Sequence, residues 1–221
     1  MAIQFKQDPD TDYDFKPLDE LSIGCIYEKP STRTRVSFEV GIHKLGGQPL
    51  TLLKGDIQMG KSESIADTGA VLSRFLDGIT YRCFGHEMVT SLSESATVPV
   101  INALSDLHHP CQAAADLMTI MERNPSLDGE LVAWVGDGNN VLHDLMLACA
   151  MLGVDCIWAV PKGYEPSEEV VLRATKIADK SGAKLIKTND PIKACKGASI
   201  IYTDVYIRMG EEHLTDKMYD Y

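Results

Sequence analysis

The pentapeptide Ser31-Thr32-Arg33-Thr34-Arg35 sets three hydroxyls and two guanidiniums in five consecutive residues. It follows a short apolar run, Leu21 to Tyr27, whose end at Lys29-Pro30 is held extended by the proline. It precedes a segment in which Phe38, Gly41, Ile42 and Leu45 fall on one helical face before Gly46-Gly47 stops it. The pentapeptide therefore stands where a strand gives way to a helix, and unpaired backbone N–H groups there carry partial positive charge. Hydroxyls and guanidiniums added to such an end make a site for a phosphate. The plainer alternative is a helix capped by Ser31 with two solvated arginines.

Positioning such a site is the task of the elements around it. After an Asp-rich opening, the pattern predicts strands at 21–27, 49–53, 78–84 and 99–103, with helices at 31–45, 64–76, 87–96 and from Pro110 to Arg123. Asn124-Pro125-Ser126 breaks that helix, and a second series follows: strands at 131–135, 156–160, 184–187 and 199–203, with helices at 141–152, 167–180 and 191–196. Strands alternating this regularly with helices require crossover connections, hence parallel sheets. The expected fold is α/β with two domains, 1–124 and 125–221, each a parallel sheet flanked by helices. Ligands then belong at the carboxyl ends of the strands. The stripe Leu142, Leu145, Met146 and Cys149 reads as a core face.

Composition excludes several classes. The 221 residues are 44% hydrophobic, enough for real cores, and the net charge of -11 argues against a nucleic-acid or anionic-membrane footprint. An anionic ligand must be met by a local positive pocket. The six cysteines form no C-x-x-C pair and no zinc spacing, which favours a reduced compartment. No apolar run reaches the length of a membrane span, and the acidic start is unlike a signal or transit peptide. The expected location is the cytoplasm, with a mitochondrial matrix as the alternative.

The stretch Glu28-Lys29-Pro30-Ser31-Thr32-Arg33-Thr34-Arg35-Val36-Ser37-Phe38-Glu39 resembles the carbamoyl-phosphate signature of the aspartate/ornithine carbamoyltransferase family. The likeness continues through Asp56-Ile57-Gln58-Met59-Gly60, Glu63 to Thr68, Tyr81 to His86, and His109-Pro110-Cys111-Gln112. The resemblance implies attack by an amine on carbamoyl phosphate, which places negative charge on the carbonyl oxygen. Donors aimed at that oxygen lower the barrier. It assigns Arg33, Arg82 and His109 to catalysis, Ser31 to Arg35 to the phosphate, Gln112 to the carbamoyl amide, and Gln58 to a neighbouring subunit's site in a homotrimer. No metal or organic cofactor is implied.

The acceptor is read from the second domain. Val135-Gly136-Asp137-Gly138-Asn139-Asn140 superficially suggests a dinucleotide fingerprint, but Val141 occupies the position of the required third glycine. It resembles instead the loop of ornithine-type members of the family, in which Asn140 contacts the amino acid. Asp204, in Thr203-Asp204-Val205-Tyr206, closes a later strand at the same sheet edge, where a carboxylate can pair with an α-ammonium. A helix cap for Asn140 and a turn for Asp204 are the plainer alternatives. Tyr164 also fits ornithine-type members, in a loop role. The implied product is citrulline, in arginine metabolism.

Departures from the family pattern leave alternatives open. Arg208-Met209-Gly210 stands where the family has Ser-Met-Gly; Met209 matches a substrate-binding position, while Arg208 adds bulk and charge beside the acceptor. Neither the family's His-Cys-Leu-Pro segment nor its first helix is found in the sequence, so the second domain is expected to be incomplete and the chain truncated at both ends and itself inactive. A transferase acting on another amine, such as putrescine, and an inactive ligand-binding or interaction paralogue are the rival readings.

Overall fold

The computed structural model describes Ile3, Lys6 and residues 15–124 and 126–204. Contacts divide the chain into two compact units, Met1–Cys111 and Gln112–Tyr221.

In the first unit β1 (Ser22–Tyr27), β2 (Gln48–Leu53), β3 (Gly78–Arg82) and β4 (Val100–Leu104) form one parallel sheet in the order β2-β1-β3-β4. They alternate with α1 (Arg33–Lys44), α2 (Ile65–Leu72) and α3 (His86–Ser95). β3 is buried along its whole length, as a central strand covered on both faces must be, so that Thr80 and Arg82 are buried with Ile79 and Tyr81. Ile26, Ile79, Tyr81 and Leu92 are wholly enclosed in the core beneath it.

The second unit repeats the plan. β5 (Leu131–Val135), β6 (Asp155–Ala159), β7 (Leu185–Thr188) and β8 (Ile200–Tyr202) are parallel in the order β7-β6-β5-β8. The helices are α4 (Pro110–Arg123), α5 (Asn140–Leu152), α6 (Glu168–Ser181) and α7 (Pro191–Cys195). Leu142, Leu145, Met146 and Cys149 are fully buried, so the apolar stripe of α5 is a core face. By contact this unit begins inside α4, whereas the sequence pattern breaks after that helix at Asn124-Pro125.

Two local expectations change. Ser31 does not cap α1: Thr32 stands at its N-cap with φ -81 and ψ -57, and no side chain caps the turn. The cap of α5 is Asn139, so Asn140 is instead its first residue. Arg208 and Met209 lie outside the described residues. Among those described, no helix is long and apolar enough to cross a membrane.

Candidate functional site

The phosphate motif is positioned by strand adjacency. β1 and β3 pair in parallel with Tyr27 opposite Arg82, so the chain leaving β1 runs beside the end of β3. Glu28 fastens the two ends: its N–H donates to the Arg82 carbonyl at 2.9 Å, and its Oε2 accepts from the Phe84 N–H at 3.1 Å. Lys54 Nζ, from the loop after β2, lies 3.3 Å from Glu28 Oε1. Three consecutive strand ends are thus tied around the segment that carries Ser31 to Arg35.

Arg82 is 7% exposed, and its Nη1 donates to Thr34 Oγ1 at 3.1 Å. Its Nε is buried without a hydrogen-bond partner, and no ion pair reaches the guanidinium among the described residues. Burial disfavours its charge and Arg33 repels it, so the Arg82 pKa is lowered. A buried guanidinium beside a second cation, at an uncapped helix N-terminus, is electrostatically incomplete. An anion between Arg82, Arg33 and the α1 backbone would offset all three.

Arg35 behaves differently. Its Nε is 2.8 Å from Glu39 Oε1, one turn on in α1, and Glu39 also accepts from Thr51 of β2. Both partners favour each other's charged form, with Arg35 raised and Glu39 lowered in pKa. A cleft of about 400 Å³ takes in Ser31, Thr32 and Arg35 together with Lys29 and Lys54, but neither Thr34 nor Arg82. Gln58 is exposed in the loop after β2, where its Oε1 accepts from Ser62 at 3.1 Å.

His109 immediately precedes Pro110 at the start of α4. The loop that delivers it is braced by Ser105, which is fully buried. The Ser105 N–H donates to the His108 carbonyl at 2.9 Å, and Ser105 Oγ accepts from the His108 N–H at 3.2 Å. On α4 itself Gln112 Nε2 donates to Asp116 Oδ1 at 2.8 Å.

In the second unit Asn139 is 3% exposed and uses both ends of its amide. Oδ1 accepts from the N–H groups of Val141 and Leu142 at 2.9 and 3.1 Å, capping α5. Nδ2 donates to Asp137 Oδ1 and to Asp204 Oδ2, each at 3.0 Å. The structure thereby brings Asp204 to the loop of Asn140, as their shared sheet edge suggests. Tyr164 lies opposite: its carbonyl accepts from the Gly138 N–H at 2.7 Å, which ties its loop to the β5–α5 turn.

Asn139, Asp116 and Tyr202 were not singled out by sequence. Asn139 carried a signal, since the residue before an apolar helical run is where an Asn caps. Asp116 carried one too, four residues after Gln112 on a helix. Tyr202 carried none beyond standing two residues before Asp204.

A family profile described as the carbamoyl-P binding domain of aspartate/ornithine carbamoyltransferase matches residues 1–122, and one described as the Asp/Orn binding domain matches 128–220. An Anoxybacillus flavithermus protein named ornithine carbamoyltransferase is 50% identical over 96% of this chain and 68% of its own length. A Thermoplasma volcanium protein named ornithine carbamoyltransferase, catabolic, is 50% identical over 90% of this chain and 65% of its own. The solved ornithine carbamoyltransferase from Pyrococcus furiosus matches with a TM-score of 0.94 at 46% identity, covering 99% of this chain and 70% of that one. The chain thus spans about two thirds of the length of these relatives.

Proposed function

Because this chain belongs to the aspartate/ornithine carbamoyltransferase family, we propose that the protein transfers the carbamoyl group of carbamoyl phosphate to the δ-amine of ornithine, giving citrulline and phosphate. The observation that carries the reading is Arg82, buried, without an acidic partner, and bonded to Thr34 beside Arg33. The naming of the similar proteins as ornithine carbamoyltransferases supports ornithine over putrescine or a non-catalytic role.

In this reading the phosphate sits on the α1 N-terminus, held by Ser31, Thr32, Arg33 and Thr34. The neutral δ-amine attacks the carbamoyl carbon, and the negative charge that develops on the carbonyl oxygen is met by Arg33, Arg82 and His109. Donors fixed in advance around that oxygen would leave little reorganisation to oppose the step. The tetrahedral intermediate then collapses by breaking the C–O bond to phosphate, and the proton lost by the attacking nitrogen passes to the departing phosphate oxygen. Gln112 takes the carbamoyl NH2, and Asn140, Asp204 and Met209 hold the amino acid. Arg35, engaged with Glu39, supports the loop more than it meets the ligand.

The same reading makes the protein a homotrimer in which Gln58 serves a neighbouring subunit's site. It divides the substrate duties between 1–124 and 125–221, and puts the enzyme in the arginine metabolism of the cytoplasm or a mitochondrial matrix. The free state of all six cysteines supports a reduced compartment.

The test is citrulline formation from carbamoyl phosphate with ornithine by the full-length protein, and product formation with putrescine in parallel. Turnover with ornithine alone is expected. Turnover with putrescine alone, or binding of carbamoyl phosphate with no turnover, would replace the reading with one of its rivals.

A further inference from the structure

Asp116 is costly where it stands. One of its oxygens, Oδ2, is enclosed with no hydrogen-bond partner. Enclosure raises the carboxyl pKa most, Asp204 raises it further, and Gln112 and Tyr202 lower it only in part. A Gln–Asp pair one turn apart adds little to a helix, which does not account for placing a carboxylate there. Its effect on Gln112 does. An ionised carboxylate only accepts, so it fixes which end of the Gln112 amide it faces. Nε2 donates to Asp116 Oδ1 at 2.8 Å. With its nitrogen turned to Asp116, the amide has its oxygen as the end that can accept from a ligand.

We propose that Asp116 is a positioning residue: by holding the Gln112 nitrogen it presents the Gln112 carbonyl oxygen to the carbamoyl NH2, and so makes the site select a carbamoyl over an acetyl group. This rests on the assignment of Gln112 to the carbamoyl amide. Carbamoyl phosphate and acetyl phosphate share a phosphate and a carbonyl, and differ in having NH2 or CH3. Arg33, Arg82 and His109 address what they share. An acceptor fixed in orientation addresses the difference, while an amide free to flip would half the time present its own NH2.

The experiment measures dissociation constants of carbamoyl phosphate and acetyl phosphate for the wild type, Asp116→Leu, Asp116→Asn and Gln112→Ala. Loss of one neutral hydrogen bond is expected to weaken carbamoyl phosphate about 2- to 10-fold in Asp116→Leu, leaving acetyl phosphate nearly unchanged. Asp116→Asn should fall between, because its Oδ1 still accepts from Nε2 but its Nδ2 also permits the flipped amide. Equal weakening of both ligands, or an unchanged ratio in Asp116→Leu when Gln112→Ala has lost it, overturns the role of Asp116 alone. An unchanged ratio in Gln112→Ala overturns the assignment of Gln112 and the proposal with it. If Asp116→Leu does not fold, the ratio in Asp116→Asn decides by the same criterion.

Discussion

The Asn139 side-chain nitrogen stands 3.0 Å from Asp204 Oδ2, joining the start of α5 to a carboxylate 65 residues later. The same amide caps α5 through its oxygen, so one side chain both ends a helix and aims the proposed acceptor carboxylate. The two duties separate by substitution. Asn139→Ala loses the cap, at about 0.5–2 kcal/mol of stability, and releases Asp204. Asn139→Asp keeps an accepting oxygen for Val141 and Leu142 but turns a second carboxylate oxygen on Asp137 and Asp204. Asn139→Asp is expected to retain more stability than Asn139→Ala while raising the KM for ornithine at least as much. Thermal melts with steady-state kinetics check this; equal KM values to wild type in both variants would detach Asp204 from the acceptor.

The two arginines of the pentapeptide are expected to differ. Arg33 disfavours the charge of Arg82, while Arg35 is committed to Glu39. Arg33→Ala should weaken binding of a phosphonate analogue of carbamoyl phosphate by about 1.5–3 kcal/mol, the range for a hydrogen bond to a charged group. Ornithine binding should change less, and Arg35→Ala should weaken the analogue less than Arg33→Ala. Calorimetric titration reads all of these. Unchanged affinity in Arg33→Ala would remove the pentapeptide from the phosphate role.

How far the sequence reached is visible in these same residues. Strand and helix alternation was legible because buried parallel strands are short apolar runs set between helical segments, as in Leu131–Val135. The phosphate motif was legible because its chemistry is local, five residues at one junction. The link of Asn139 to Asp204 was not, since the two lie 65 residues apart and only the pairing of β5 with β8 brings them near. The commitment of Arg35 to Glu39 followed helical spacing and could have been read. The bracing of β1 to β3 by Glu28 could not, because strand order is silent in a pattern of alternation.

Gly138 is held where a side chain has no room. A Cβ built there would lie 2.1 Å from the backbone nitrogen of Pro166, and backbone cannot swing aside as a flexible side chain can. Gly138 also donates its N–H to the Tyr164 carbonyl at 2.7 Å, so a shift of the loop breaks that bond as well. Gly138→Ala is expected to destabilise the second unit by about 1–3 kcal/mol, the range for overpacking, and to raise the KM for ornithine more than that for carbamoyl phosphate. Denaturant melts and kinetics measure both. A neutral Gly138→Ala would show that the Tyr164 loop is free of the β5–α5 turn.

Asp116 should also leave its mark on the pH dependence of stability. Its pKa is raised in the fold above the ordinary value of 3.8, chiefly by enclosure. Between 3.8 and that raised value the native protein keeps a proton which the unfolded chain has lost. Stability must therefore fall as pH rises through this window, with the cost absent below it and fully present above it. Asp116→Asn removes the titration while keeping shape and a hydrogen-bond acceptor. The stability of Asp116→Asn relative to wild type is expected to be greatest at neutral pH and to decline as pH falls toward 3.8. The groups facing Asp116 are Gln112, which does not titrate, Tyr202, whose pKa is itself raised, and Asp204. The double variant Asp116→Asn with Asp204→Asn, set against Asp204→Asn alone, isolates the contribution of Asp116. Urea melts across the acid range carry the measurement. A stability difference that stays constant with pH in that pair would mean that what favours the Asp116 carboxylate, Gln112 foremost, fully offsets its enclosure.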